Sequence, residues 1–192
     1  MSRRLLADAG VCLALVAVGV VSRLAKEALG VSLPNFHAVT AVSLFAGYYF
    51  SARSGQAGRI WALATPLAAM FVSDFALGGY EPLVMMSVYG SLLLPALLGL
   101  AAGKRSALLC VPLAIGSTLA FFVLTNLAVW FSWYSHDLAG LARCFARALP
   151  FLKFSLAGDL MYTLALFGVH AGATSRVASR PDLRPALAAR AA

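Results

Sequence analysis

Long apolar stretches follow one another along the chain, separated by short polar breaks, and their lengths decide the fold class. Residues 6–24, 60–79, 83–102, 107–134 and 150–172 are each dominated by Leu, Ala, Val, Phe and Gly. A helix of about 20 apolar residues crosses the hydrocarbon core of a bilayer, so each of these predicts a membrane span. A sixth and shorter stretch, 35–51, follows Pro34, with Asn35 as its expected N-cap. Pro150 is suited to the first turn of the last helix. No run alternates with the period of two that a membrane β-barrel requires. The expected architecture is an all-α integral membrane protein, a six-transmembrane-helix bundle. It forms one domain over residues 1–172, followed by a basic, Ala- and Arg-rich tail, 173–192, expected to be disordered.

Composition agrees. The chain has 192 residues, 61% hydrophobic and only 11% charged, whereas soluble domains carry about a quarter charged residues. The net charge of +8 resides mostly between and beyond the apolar runs, a pattern that reads as topology rather than nucleic-acid binding. The N-terminal stretch resembles a signal peptide in outline. Asp8 interrupts it, however, and no small-x-small cleavage site precedes Arg23 and Lys26, so it is read as the first span. Cys12, Cys110 and Cys144 are scattered and predict no disulfide framework.

The cations set the orientation. With the N-terminus inside, Arg3, Arg4, Arg53, Arg59, Lys104, Arg105, Arg176, Arg180, Arg184 and Arg190 all fall on the cytoplasmic side. Both termini are then cytoplasmic, in keeping with an even number of spans. On this topology residues 136–149 form an amphipathic segment at the outer interface, with Leu138, Leu141, Phe145 and Leu149 on one face and Arg143 and Arg147 on another.

Most side chains capable of chemistry then share the outer half of the bundle. Asn35 and His37 lie in the first outer turn, Asp74 near the outer end of the third span, and Tyr89 in the outer half of the fourth. Asn126, Trp130 and Trp133 share a face of the fifth span, at spacings of four and three, expected to point into the bundle. Tyr134 follows them, and Arg143 comes from the next loop. Trp133 and Tyr134 also suit an interfacial aromatic belt. Asp159 lies on a polar stripe with Ser155, Tyr162 and Thr163. Carboxylates inside membrane spans are costly and mark either a functional contact or a buried ion pair. Both readings stand for Asp74 and Asp159, with Arg23 and Lys153 as possible ion-pair partners. The expected result is an outward-facing cup. Gly10, Ala14 and Ala17 form a stripe of small residues on the first helix, suited to close packing within the bundle or against a partner.

The sequence holds no GxxxxGK[ST], HExxH or GxSxG motif and no visible internal repeat. The three histidines form no metal motif. No catalytic residue, intrinsic cofactor or metal is expected.

The segments PNFHAVTAVSLFAGYYF, PLAAMFVSDFALGGY, SVYGSLL and FFVLTNLAVWFSWYSHDLAGLARCFARALPFLKFSLAGDLMYTLALFG resemble an uncharacterised bacterial family of membrane transport proteins. That family is similar to the substrate-binding S components of energy-coupling factor transporters. The resemblance implies capture of a vitamin-like micronutrient from outside the bacterial inner membrane. It implies either a partnership with a coupling subunit and ATPases or the solitary form linked to cobalamin uptake. Cobalamin is the first expected substrate, with His37 or Cys144 as its cobalt ligand. Those S components dock their partner through an AxxxA pattern on the first helix, and here the nearest match is Gly10-x-x-x-Ala14. Two other readings compete: a membrane-embedded enzyme using Asp74 or Asp159 as acid or base, and a structural assembly subunit packing through the first helix.

Overall fold

A computed structural model describes residues 3–28, 30, 33–53 and 55–178, and the remaining residues of the tail, from 179 on, lie outside it. The described residues form six α-helices and no strand: α1 (Arg3–Ala28), α2 (Val39–Phe50), α3 (Gly55–Leu77), α4 (Pro82–Ala102), α5 (Ser106–Trp133) and α6 (Leu138–Ala178), with a 3-10 turn, Gly103–Arg105, between α4 and α5. Five of the six are long and apolar enough to cross a membrane. The chain is a multi-pass membrane protein. Large apolar side chains such as Phe75, Leu108 and Val169 stay exposed on the outside of the bundle, where lipid would solvate them.

The short helix is the hub. α2 packs against α1, α3, α4, α5 and α6, and the five long helices neighbour one another in the order α1, α3, α4, α5, α6 around it. Ten of its twelve residues are buried, with Leu44, Val42 and Phe50 fully enclosed. At 1.5 Å per residue it is only about 18 Å long, too short to span the hydrocarbon core alone.

Two contacts fix its position. The Ala38 N–H donates to Ser22 Oγ at 3.0 Å near the far end of α1, and Arg53 pairs with Asp8 near the start of α1. The chain therefore runs antiparallel to α1 from Ser22 back to Asp8, and α2 begins well inside the bundle. Residues 33–38, which the sequence assigned largely to the second helix, enter as non-helical backbone. Asn35 does not cap α2. It sits in a turn with φ +58°, and Ala38 occupies the N-cap with no side-chain hydrogen bond. Asparagine adopts that left-handed conformation more readily than most residues.

α6 also departs from expectation. Pro150 lies inside one helix of 41 residues, instead of opening it after a separate interfacial segment. Residues 138–149 return along α5: Cys144 Sγ lies 3.5 Å from the Asn126 carbonyl, and Phe145 meets Phe122 edge-on at 5.7 Å. Proline removes one backbone bond and crowds the preceding turn, but here that turn is held from the side by α5. The helix also runs past Gly172, so the first residues of the expected tail are helical.

α2 and α4 approach closely because Gly47 faces Gly99. A Cβ on Gly47 would collide with the Ala96 carbonyl, and one on Gly99 with the Leu44 carbonyl. Backbone cannot move aside as a flexible side chain can. Gly47→Ala and Gly99→Ala are each expected to destabilise the bundle by at least about 1–3 kcal/mol, read as a fall in melting temperature in detergent. Gly10→Ala, where nothing lies within 4 Å, should leave it unchanged.

Candidate functional site

The polar side chains form three clusters. The first joins α1, α3 and α4. Arg23 Nη2 lies 2.7 Å from Asp74 Oδ1, Nη1 donates to Ser73 Oγ at 2.5 Å and approaches Met70 Sδ at 3.1 Å, and the Tyr89 hydroxyl donates to Asp74 Oδ2 at 2.9 Å. Asp74 is buried, and the Arg23 side chain is only 15% exposed. Tyr80, in the connection between α3 and α4, has its hydroxyl pushed up to about 12, first by burial and then by the nearby Asp74 carboxylate, with Arg23 opposing. Asp74 thus has the ion-pair partner that the sequence offered, and Tyr89 completes its shell.

The second cluster lies at the centre. Asp159 is buried, and Thr118, near the middle of α5, donates to its Oδ2 at 2.6 Å. The hydroxyl of Thr40, on the first turn of α2, hydrogen-bonds the same carboxylate. Among the described residues Asp159 has no ion pair. Arg23 is engaged with Asp74, and Lys153 lies over the Phe154 ring at 4.9 Å. What Asp159 faces instead is the N-terminus of α2, whose first N–H groups lack intrahelical acceptors. Ser155 and Thr163 are buried with Asp159, so the predicted stripe does face inward. Tyr162 meets Phe36 of the entering segment at 6.0 Å, and Phe36 and His37 lie against Gly158.

The third cluster is the corner between α5 and α6. Trp130 Nε1 donates to the Ser135 carbonyl at 2.9 Å and packs on His136. Asp137 caps α6, accepting from the Gly140 N–H at 2.5 Å and from Ser135 Oγ at 3.0 Å, while Arg143 donates to Ser135 Oγ at 2.9 Å. A cavity of about 590 Å³ opens beside this corner, lined by Val129, Trp133, Tyr134, Ser135, Arg143 and Arg147. Across the same end of the bundle Glu81 caps α4 through the Val84 N–H at 2.7 Å and accepts from Ser132 of α5 at 3.0 Å.

The shared face of Asn126, Trp130 and Trp133 does not point at the bundle centre. It follows the seam with α6. The Asn126 amide donates to its own helix at the Phe122 carbonyl, and Trp133 is 60% exposed. The reason is the return of residues 138–149 along α5, which supplies a neighbour on that side. Of the residues expected to bind a solute, Trp133, Tyr134 and Arg143 share the cavity. Asp74 and Tyr89 share the first cluster and Asp159 the second. Asn35 is exposed in its turn, and Cys144 is buried in the seam rather than facing the cavity. Thr40, Thr118, Ser73 and Ser135 were missed as partners, because hydroxyls within apolar helices commonly bond only their own backbone. Among the described residues no group of three His, Cys, Asp or Glu is placed to hold a metal ion.

Removing one partner of a buried ion pair strands the other charge, at a cost of about 3–5 kcal/mol, while replacing both with apolar residues is close to neutral. Arg23→Met and Asp74→Leu are each expected to lower thermal stability sharply, and the double variant to recover most of the loss. At the corner, hydrogen bonds from backbone N–H groups, with Ser132 and Ser135 adding theirs, hold the Glu81 and Asp137 carboxyls below the usual carboxylate range. A depressed folded-state pKa contributes stability that is present above the unfolded value of about 4 and lost as pH falls through the folded one. Protection of the Val84 and Gly140 amides relative to their intrinsic exchange rates should accordingly fall below about pH 4, and Glu81→Gln should remove that dependence at Val84.

No curated protein and no solved structure matches the chain. A family profile covers almost all of it, residues 4–183, and on that match the protein belongs to DUF6580, a family of unknown function.

Proposed function

We propose that the protein is a membrane transport protein that binds a small, micronutrient-like solute at the end of the bundle carrying the α5–α6 corner. The observation that carries this reading is the non-helical backbone of residues 33–38 that leads into the short, enclosed α2. A spanning helix satisfies its own backbone, so non-helical backbone at membrane depth is tolerated only where protein encloses it or where it lines a cavity. Broken helices of this kind recur in transporters, where their ends build binding sites near the bilayer midplane. Here the break at residues 33–38 meets Asp159, and the chain emerges at the end that holds the 590 Å³ cavity.

The clustering of Arg4, Arg53, Arg59, Arg105 and Arg176 at the opposite end favours a cytoplasmic placement of that end and of both termini. The α2 segment then completes a sixth crossing in a bacterial inner membrane, in the manner of an energy-coupling factor S component. The cavity volume lies in the range that accepts a drug-sized molecule; it suits a vitamin-sized solute and is small for a corrinoid such as cobalamin. Trp133 and Tyr134 would stack a planar ring, and Arg143 and Arg147 would hold an anionic group. Gly10, Ala14 and Ala17 form an exposed face on α1 on which an energising membrane subunit could pack; a solitary form would leave it to lipid.

The test is purification in mild detergent from cells supplied with a vitamin mixture, with mass spectrometry of what co-purifies. A stoichiometric solute is expected. Its affinity should fall about tenfold or more, roughly 1.4 kcal/mol, in Trp133→Ala and in Arg147→Ala, with no change in the unliganded melting temperature. A folded protein that retains no solute, or binding indifferent to both substitutions, would remove the basis of this reading.

A further inference from the structure

The opposite end of the bundle carries a second cavity, about 500 Å³, between the end of α2, the start of α3 and the last turns of α4. Its lining has two characters. Ser51, Arg53 and Arg59 form a polar mouth, and Leu63, Leu97 and Leu100 form an apolar wall. Arg59 and Leu63 stand one helical turn apart on α3, so the charge and the start of the wall share a face. Leu97 and Leu100, three apart on α4, supply the other side, with Leu97 half exposed on the flank of the bundle.

The charges at the mouth are not balanced. Arg53 holds Asp8 through Nε and Nη2, at distances from 2.5 to 3.0 Å, and also meets the ring and hydroxyl of Tyr49; its Nη1 donors stand outside the Asp8 pair. Arg59 is exposed and has no ion pair among the described residues. Asp8 is the one carboxylate at this end among the described residues, and Arg53 already takes it. Arg4, Arg105 and Arg176 add to the same positive field.

A soluble anion would have no use for a wall of leucines, and an acyl chain would have no use for two guanidinium groups. A phosphate carried on acyl chains uses both. Basic pockets between membrane helices are suited to such head groups. We infer that this cavity binds an anionic phospholipid of the adjoining leaflet, its phosphate between Arg59 and Arg53 and an acyl chain along Leu63, Leu97 and Leu100.

The experiment compares phosphatidylglycerol, phosphatidylcholine and inorganic phosphate added to the delipidated, full-length protein in mild detergent, read by melting temperature and by native mass spectrometry. Phosphatidylglycerol is expected to raise the melting temperature by roughly 2–4 °C and to remain bound, with neither of the others doing so. Arg59→Ala should abolish the shift while leaving the lipid-free melting temperature unchanged, because the side chain is exposed. Equal shifts from the two lipids would overturn the inference in favour of a nonspecific annulus. A full shift from inorganic phosphate would overturn it in favour of a soluble anion, and an undiminished shift in Arg59→Ala would remove Arg59 from the site. If Arg59→Ala does not fold, the comparison of lipids on the native chain decides alone.

Discussion

The structure depends on one constraint: a chain that crosses a bilayer must satisfy its backbone hydrogen bonds from within. Five helices meet it alone. The segment between α1 and α3 does not, because residues 33–38 are not helical and α2 is too short to span alone. Everything near α2 follows from enclosing that segment. Five helices surround it, Gly47 and Gly99 let α4 come close enough to seal one side, and Ser22 supplies an acceptor for the Ala38 N–H. Asp159 completes the enclosure by tying α6 to α5 through the Thr118 hydroxyl and to the first turn of α2 through the Thr40 hydroxyl.

This explains why two intramembrane carboxylates have such different surroundings. Asp74 has a guanidinium and a phenol, and its charge is neutralised on the spot. Asp159 has hydroxyls and a helix end. Of the two possibilities that the sequence offered, an ion pair is present at Asp74, and it fastens α1 to α3 and α4. Among the described residues Asp159 has no ion pair and is held by hydroxyls of α5 and α2.

Much of this was legible in the sequence, and the reasons are physical. Span lengths and the placement of Lys and Arg are strong signals, because a lipid environment tolerates few alternatives. They located α1, α3, α4 and α5 within a few residues and gathered Asp74, Tyr89 and Arg143 at one end. The inward stripe of Ser155, Asp159 and Thr163 was equally readable. The break before α2 was not, since an apolar run with Asn35 ahead of it looks the same whether the helix begins at Asn35 or at Val39. Nor was the continuity of α6, since Pro150 is compatible with either a helix start or a supported interior position. The orientation of Trp130 and Trp133 followed from that error: without residues 138–149 packed along α5, the bundle centre was the one neighbour available to them.

α1 lies at one end of the series of long helices, as α6 does at the other. It packs on α2 and α3 alone among the helices with extensive contacts, and it is fastened by one ion pair near each end, Asp8 with Arg53 and Arg23 with Asp74. Its exposed face carries the small residues Gly10, Ala14 and Ala17. Between those two pairs α1 is held by an apolar seam, in which Val11, Cys12, Leu15, Val16 and Val18 join the core around α2, so moving it would disturb two interfaces, whereas moving α2 would disturb five. Arg53 also stands in the mouth of the proposed lipid cavity, so occupation of that cavity would bear on the pair that holds the start of α1.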